Sequence, residues 1–125
     1  MTASGYLAAM SDVTIYHNPN CGTSRNTLAL LRERGIEPKV VEYVKVGWTE
    51  PQLQDLLKRL GLSARGILRS RGTNAEALGL TDPSASDQTL IAAMVREPIL
   101  VERPIVVTPK GAALCRPVEA VLALI

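Results

Sequence analysis

The chain has 125 residues, is 46% hydrophobic and 21% charged, and carries a formal net charge of +2. That length suits one domain with a core of its own, and so small a charge argues against bulk attraction to nucleic acid. No apolar run approaches the ~18 residues that a membrane span needs, and two cysteines without a CxxC, beside a single histidine, exclude a secreted disulfide framework and a His-rich zinc site.

A reducing, cytoplasmic setting is therefore expected, with no metal. Arginine outnumbers lysine ten to four. Arginine is the better fork for oxyanions, although codon bias explains the count equally well.

Residues 1–10 are expected to be a flexible extension. They lack the basic start and long apolar stretch of a signal peptide, and Met10, just before Ser11-Asp12, reads as a natural start. Residues 11–125 are expected to form one domain with a helical insertion at about 49–97.

Val13-Thr14-Ile15-Tyr16 reads as a strand, rich in β-branched and aromatic residues. A helix follows from about Gly22 to Arg34, with Leu28, Leu30 and Leu31 on its apolar side and Gly35 as its stop. Lys39 to Val44 reads as a second strand, buried on both faces, in a right-handed parallel βαβ unit.

The middle is mainly helical. Thr49-Glu50-Pro51-Gln52 has the marks of a capping box, followed by Leu53, Leu56, Leu57 and Leu60 on one face and Gly61 as the stop. Gly66-Ile67-Leu68-Arg69 reads as a helical turn. Thr73-Asn74-Ala75-Glu76 predicts a second short helix closing near Gly79, and Ser86-Asp87 a third, ending near Arg96 before Pro98. Ile99-Leu100-Val101, Ile105-Val106-Val107 and Ala112-Ala113-Leu114-Cys115 read as extended. A last helix would turn Val118, Val121, Leu122 and Ile125 inward. The order is βαβ, then ββα: an α/β fold.

The chemistry centres on His17-Asn18-Pro19-Asn20-Cys21-Gly22-Thr23-Ser24-Arg25. A thiol at a helix N-terminus meets unpaired N–H groups and the positive end of the dipole, and both favour the nucleophilic thiolate. Gly22 allows close backbone approach, and Thr23 and Ser24 add hydroxyls. His17 sits at the strand end, where an imidazole can tune the thiolate or donate to an anion. Arg69, Arg103 and Arg116 each sit beside a turn or a proline; taken singly, each reads as a solvated surface group. Arg103-Pro104 is open to cis or trans. Cys115 reads as a small apolar residue at a strand end rather than a resolving thiol. A tyrosine-phosphatase cradle needs five residues between cysteine and arginine; here only three separate Cys21 from Arg25. Cys21-Gly22-Thr23-Ser24 instead has the Cys-x-x-Ser spacing of monothiol glutaredoxins.

The segment Tyr16 to Thr27 resembles the active-site segment of the glutaredoxin-coupled arsenate reductases, the ArsC family. Ile67-Leu68-Arg69, Pro98 to Pro109 and Leu114-Cys115-Arg116-Pro117 match in the same order. The resemblance covers about Val13 to Leu124. It implies a thioredoxin-like mixed sheet with a helical insertion and Cys21 as the catalytic cysteine. It also implies tuning roles for His17 and Ser24, an oxyanion-binding trio of Arg69, Arg103 and Arg116 near Gly22 and Thr23, and a cis bond at Arg103-Pro104. The expected partners are arsenate, glutathione as co-substrate with no bound cofactor, and glutaredoxin, on a protein expected to be a monomer. Two other readings share the fold: an Spx-like redox regulator binding RNA polymerase, and a general glutathione-dependent thiol oxidoreductase. Ser24 in place of a second cysteine, together with the arginine set, favours the reductase.

Overall fold

The computed structural model describes residues 12–125; the expected extension, residues 1–10, lies outside the described residues, as does its Met10 start. The chain divides into two compact units. One comprises the described residues up to Glu42 together with Arg103–Ile125; the other is Tyr43–Glu102.

The first unit holds a four-stranded sheet. Its strands are β1 (Thr14–His17), β2 (Lys39–Glu42), β3 (Ile105–Thr108) and β4 (Gly111–Leu114), in the order β2-β1-β3-β4. β1 and β2 run parallel, with Ile15 opposite Val40, and α1 (Gly22–Glu33) connects them. β1 and β3 are antiparallel, with Ile15 opposite Val106, and β3 and β4 form a hairpin. This is the expected mixed sheet. Val13, Ile15, Leu28, Leu31, Val106, Cys115, Val121 and Leu124 form one buried cluster between α1, the sheet and the C-terminal turn. Gly35, at φ +76°, ends α1 in the left-handed conformation that glycine tolerates best.

Two readings in this unit need correction. β2 is an edge strand, paired among the described residues only with β1, and it is not buried on both faces: Lys39 is exposed and Val40, Val41 and Glu42 are only half-buried. The strand stops at Glu42. The final segment, Val118–Leu124, is a 3₁₀ helix. Its period of three turns Val121 and Leu124 inward and leaves Leu122 at 38% exposure, where a period of 3.6 would have buried Leu122.

The second unit begins with a single helical turn, α2 (Tyr43–Val46), closed where the Gly47 N–H meets the Tyr43 carbonyl. α3 (Glu50–Leu60) has the expected capping box: the Gln52 N–H donates to Thr49 Oγ1 at 3.2 Å, and the Thr49 N–H donates to Gln52 Oε1 at 3.3 Å. α4 (Asp87–Arg96) starts on Ser86, whose hydroxyl accepts the Thr89 N–H. It packs against α3 and against two 3₁₀ turns, Ala64–Ile67 and Pro98–Leu100. Leu53, Ile67, Leu90, Met94 and Leu100 are fully buried.

The helix expected at Thr73–Gly79 is absent; the segment is a run of turns. The Thr73 hydroxyl donates back to the Arg69 and Ser70 carbonyls and accepts the Ala75 N–H, so it competes with helical pairing instead of capping it. Arg65 then ties the far side of the segment, donating to the carbonyls of Leu80, Asp82 and Ala85. Ile99 and Leu100 lie in a 3₁₀ turn instead of a strand, because Pro98 opens it. Val101 is extended and bridges Leu68.

Candidate active site

Cys21 is the residue on which α1 starts, with extended backbone angles (φ −106°, ψ 123°). The preceding loop is built by Asn18. Its carbonyl accepts the Cys21 N–H at 3.0 Å, its Oδ1 accepts the Asn20 N–H at 2.9 Å, and its own N–H donates to Ser24 Oγ at 3.1 Å. These bonds fix the path of the chain into the thiol. Asn18 is itself buried. The sequence reading passed over it, although Asn before Pro is a turn signal in its own right.

Ser24 and His17 lie beneath the loop. Ser24 is fully buried, and its Oγ lies 2.7 Å from His17 Nδ1. Burial is the main influence on His17 and holds its pKa below 6.5; Glu42 pulls the other way, while Arg32 and Arg25 add to the lowering. The ring is therefore neutral at pH 7, and the Ser24 hydroxyl is shared between the Asn18 N–H and the imidazole.

Arg103 and Arg116, which flank the β3–β4 hairpin, reach the thiol. Arg116 Nη1 lies 3.7 Å from Cys21 Sγ and donates to the Arg103 carbonyl at 3.0 Å. Arg103 is 9% exposed, and its Nε and Nη1 have no hydrogen-bond partner among the described residues. A buried guanidinium with free donors beside a thiol is a strong anion receptor. Both Arg103-Pro104 and Arg116-Pro117 are cis.

These surroundings set the state of the thiol. Burial pushes the Cys21 pKa up, but the Ser24 N–H and the guanidinium groups of Arg103 and Arg116 together outweigh it, bringing the pKa from 9.0 down to about 7. The sulfur makes no formal capping hydrogen bond, so the Ser24 N–H acts on it electrostatically. Cys115 is the opposite case. It is fully buried, and burial pushes its pKa up to about 11 against a smaller opposing effect of the Val106 backbone.

Of the residues singled out from the sequence, Cys21, His17, Ser24, Gly22, Thr23, Arg103 and Arg116 lie in the first unit. Gly22 opens α1. The Thr23 carbonyl accepts the Thr27 hydroxyl, an interaction internal to the helix. Arg69 belongs to the second unit, where its Nη1 pairs with Glu102 Oε1 at 2.9 Å. Its backbone N–H donates to the Leu100 carbonyl at 2.7 Å, and the Glu102 N–H donates to the Ile67 carbonyl at 2.8 Å. Among the described residues no group of three or more His, Cys, Asp or Glu side chains is arranged to hold a metal.

Residues 16–124 match the ArsC family model. The chain belongs to the ArsC family. It is 54% identical over 110 residues to an arsenate reductase of Rhizobium meliloti (strain 1021), covering 88% of this chain and 79% of that one. It is 50% identical over 113 residues to an arsenate reductase of Escherichia coli, covering 90% and 80%. A solved arsenate reductase from Vibrio cholerae superposes with a TM-score of 0.86 at 43% identity, covering 90% of this chain and 97% of that one. The fold of this family member is accordingly the thioredoxin-like α/β architecture of solved arsenate reductases. The matched residues 16–124 include the thiol loop and both cis prolines of this chain.

Proposed function

We propose that this chain reduces arsenate to arsenite, with Cys21 as nucleophile and glutathione and glutaredoxin as the thiols that complete the reduction. The observation that carries this reading is the buried Arg103 guanidinium, with two nitrogens unpartnered among the described residues, which acts together with Arg116 on the Cys21 thiol. Arsenate is a tetrahedral, largely doubly charged oxyanion near neutral pH. Two guanidinium groups and the N–H groups that open α1 from Gly22 and Thr23 supply matching donors. Arg69 is proposed as the third arginine, on the strength of the family segment Ile67-Leu68-Arg69.

The chemistry balances with three thiols. The Cys21 thiolate attacks arsenic and a hydroxyl leaves as water, forming a sulfur–arsenic bond with arsenic still pentavalent. The glutathione thiol displaces a second hydroxyl as water. A glutaredoxin thiolate then attacks the glutathione sulfur. The electron pair of that sulfur–arsenic bond stays on arsenic, which becomes trivalent, and the two outside thiols leave as a mixed disulfide. Hydrolysis frees arsenite and restores the Cys21 thiol. External thiols take the place of a resolving cysteine, in keeping with Ser24 in the position where a redox pair would carry one. His17 and Ser24 keep the thiolate available.

The test supplies arsenate, glutathione, glutaredoxin and an NADPH-linked glutathione reductase, and follows NADPH loss. Arsenate-dependent turnover that disappears in Cys21→Ser is the expected result. No turnover, with tight binding to RNA polymerase, would establish the regulator instead. Turnover of glutathione mixed disulfides without arsenate would establish a general oxidoreductase.

A further inference from the structure

Beside the thiol loop, within the first unit, runs an open cleft of about 530 Å³. One wall is Pro19, the floor is Leu28 and Ala29, and the charged groups along it are Arg25, Arg32 and Glu33. His17 lines it at the thiol-loop end; its other lining residues take no part in the steps described above. It opens toward the reacting end of α1: the Arg25 side chain folds back over Gly22, where an added Cβ would lie 3.7 Å from Arg25 Nη2, and Arg25 Nη1 donates to the Pro19 carbonyl at 2.9 Å.

The spacing of charges selects a ligand. Arg25 and Arg32 are seven residues apart on α1, about 10 Å along the helix axis. Glu33 lies beside Arg32. A ligand that matches this row has a carboxylate near the thiol, a short and weakly polar middle, and a second carboxylate with an ammonium group at the far end. Arg32 holds Glu37 at 3.0 Å, but the two side chains are 53% and 54% exposed. So exposed a pair contributes little and can exchange for a ligand carboxylate. Arg25 commits one nitrogen to Pro19, and the rest of its fork remains available.

We infer that this cleft is the subsite for the tripeptide thiol glutathione, its glycyl carboxylate on Arg25 and its zwitterionic γ-glutamyl end on Arg32 and Glu33, with the cysteinyl sulfur directed to the Cys21 end. The inference rests on the reductase reading for its chemistry, but not for its binding. It also separates the two anion sites of the enzyme: the oxyanion is held by Arg103 and Arg116, the peptide carboxylates by α1.

Ala29 provides the test, because it is exposed, lies on the cleft floor and takes no part in the thiol chemistry. In Ala29→Glu a new carboxylate lies within one helical turn of both Arg25 and Arg32 and competes for them. The expected result is a rise of about tenfold or more in the KM for glutathione with the KM for arsenate unchanged, a tenfold change being about 1.4 kcal/mol. In parallel, the unreactive analogue S-methylglutathione is titrated into Cys21→Ser protein by NMR. Saturable shifts at Leu28, Ala29 and Arg32 that vanish in the Cys21→Ser, Ala29→Glu double variant are expected. An unchanged KM for glutathione, or an absence of saturable shifts along α1, overturns the subsite. Binding of the analogue, together with no arsenate turnover by the wild-type protein, would overturn the reductase reading and leave the subsite standing.

Discussion

Arg116 and Cys21 are ninety-five positions apart in the chain, yet Arg116 Nη1 lies 3.7 Å from the Cys21 sulfur. The same nitrogen donates to the Arg103 carbonyl, so one guanidinium joins the nucleophile to the second arginine of the site. Arg116→Ala should therefore raise the Cys21 pKa from about 7 toward the ordinary cysteine range, as read from the ultraviolet absorbance of the thiolate. In the arsenate assay Arg103→Ala and Arg116→Ala should each lose about 2–4 kcal/mol of transition-state stabilisation while remaining folded. Near-wild-type kcat/KM for either would remove it from the site.

The lowered thiol pKa has a signature in stability. An acid whose pKa is depressed by folding contributes stability that is present above the unfolded value and is lost as pH falls through the folded value. For Cys21 that window runs from 9.0 down to about 7. In urea unfolding, the stability advantage of wild type over Cys21→Ser should be larger near pH 9 than near pH 7, by up to about 2–3 kcal/mol. A gap that is flat across this range would show that the thiol titrates alike in the folded and unfolded chains. The rate of thiol alkylation in the native protein should instead fall as pH drops through about 7.

His17 acts in the same direction at lower pH, for the opposite reason: folding disfavours its charged form. Burial holds its pKa below 6.5, so the unfolded chain takes up a proton that the native protein resists. Stability is intact above pH 6.5 and declines as the solution is acidified below it. His17→Gln should flatten the stability profile below pH 6.5. A decline as steep as that of wild type would assign the acid sensitivity to other groups.

Ser24→Ala removes the partner of both the Asn18 N–H and His17 Nδ1 inside a fully buried pocket. Leaving such groups unsatisfied costs about 1–3 kcal/mol. The expected variant is less stable by that order in urea titrations and slower in turnover, because Asn18 also shapes the loop that carries Cys21. Ser24→Thr, which retains the hydroxyl, should recover part of the activity if it is tolerated sterically; Ser24→Ala with unchanged stability would contradict the buried network.

The parts of this molecule that were legible in its sequence are those whose signals are local. Thr49 with Gln52, and Ser86 with Thr89, cap their helices through neighbours three residues away, and α3 and α4 begin where those residues predict. The β1–α1 junction is local too, so the position of Cys21 at a helix start was readable. Thr73-Asn74-Ala75-Glu76 carries the same local pattern but folds as turns, because the Thr73 hydroxyl bonds backward to Arg69 and Ser70. The C-terminal segment turned on a difference between periods of 3.0 and 3.6, which seven residues barely distinguish. The approach of Arg116 and Arg103 to the thiol depends on the β3–β4 hairpin and is invisible to spacing; only the family resemblance pointed to it. Glu102 stood in a recognised segment, but its pairing with Arg69 follows from the Leu68–Val101 bridge, which no local signal announces.

The two cysteines differ in a way that has a practical use. Cys115 is fully buried, with a thiol pushed up to about 11, whereas Cys21 titrates at about 7. A maleimide or iodoacetamide reagent at neutral pH should thus modify the native protein once, and peptide mass spectrometry should place the adduct on Cys21. The fold therefore supplies, without engineering, a single attachment point for a fluorophore or spin label at the reacting end of α1. Arsenate added beforehand should slow the labelling.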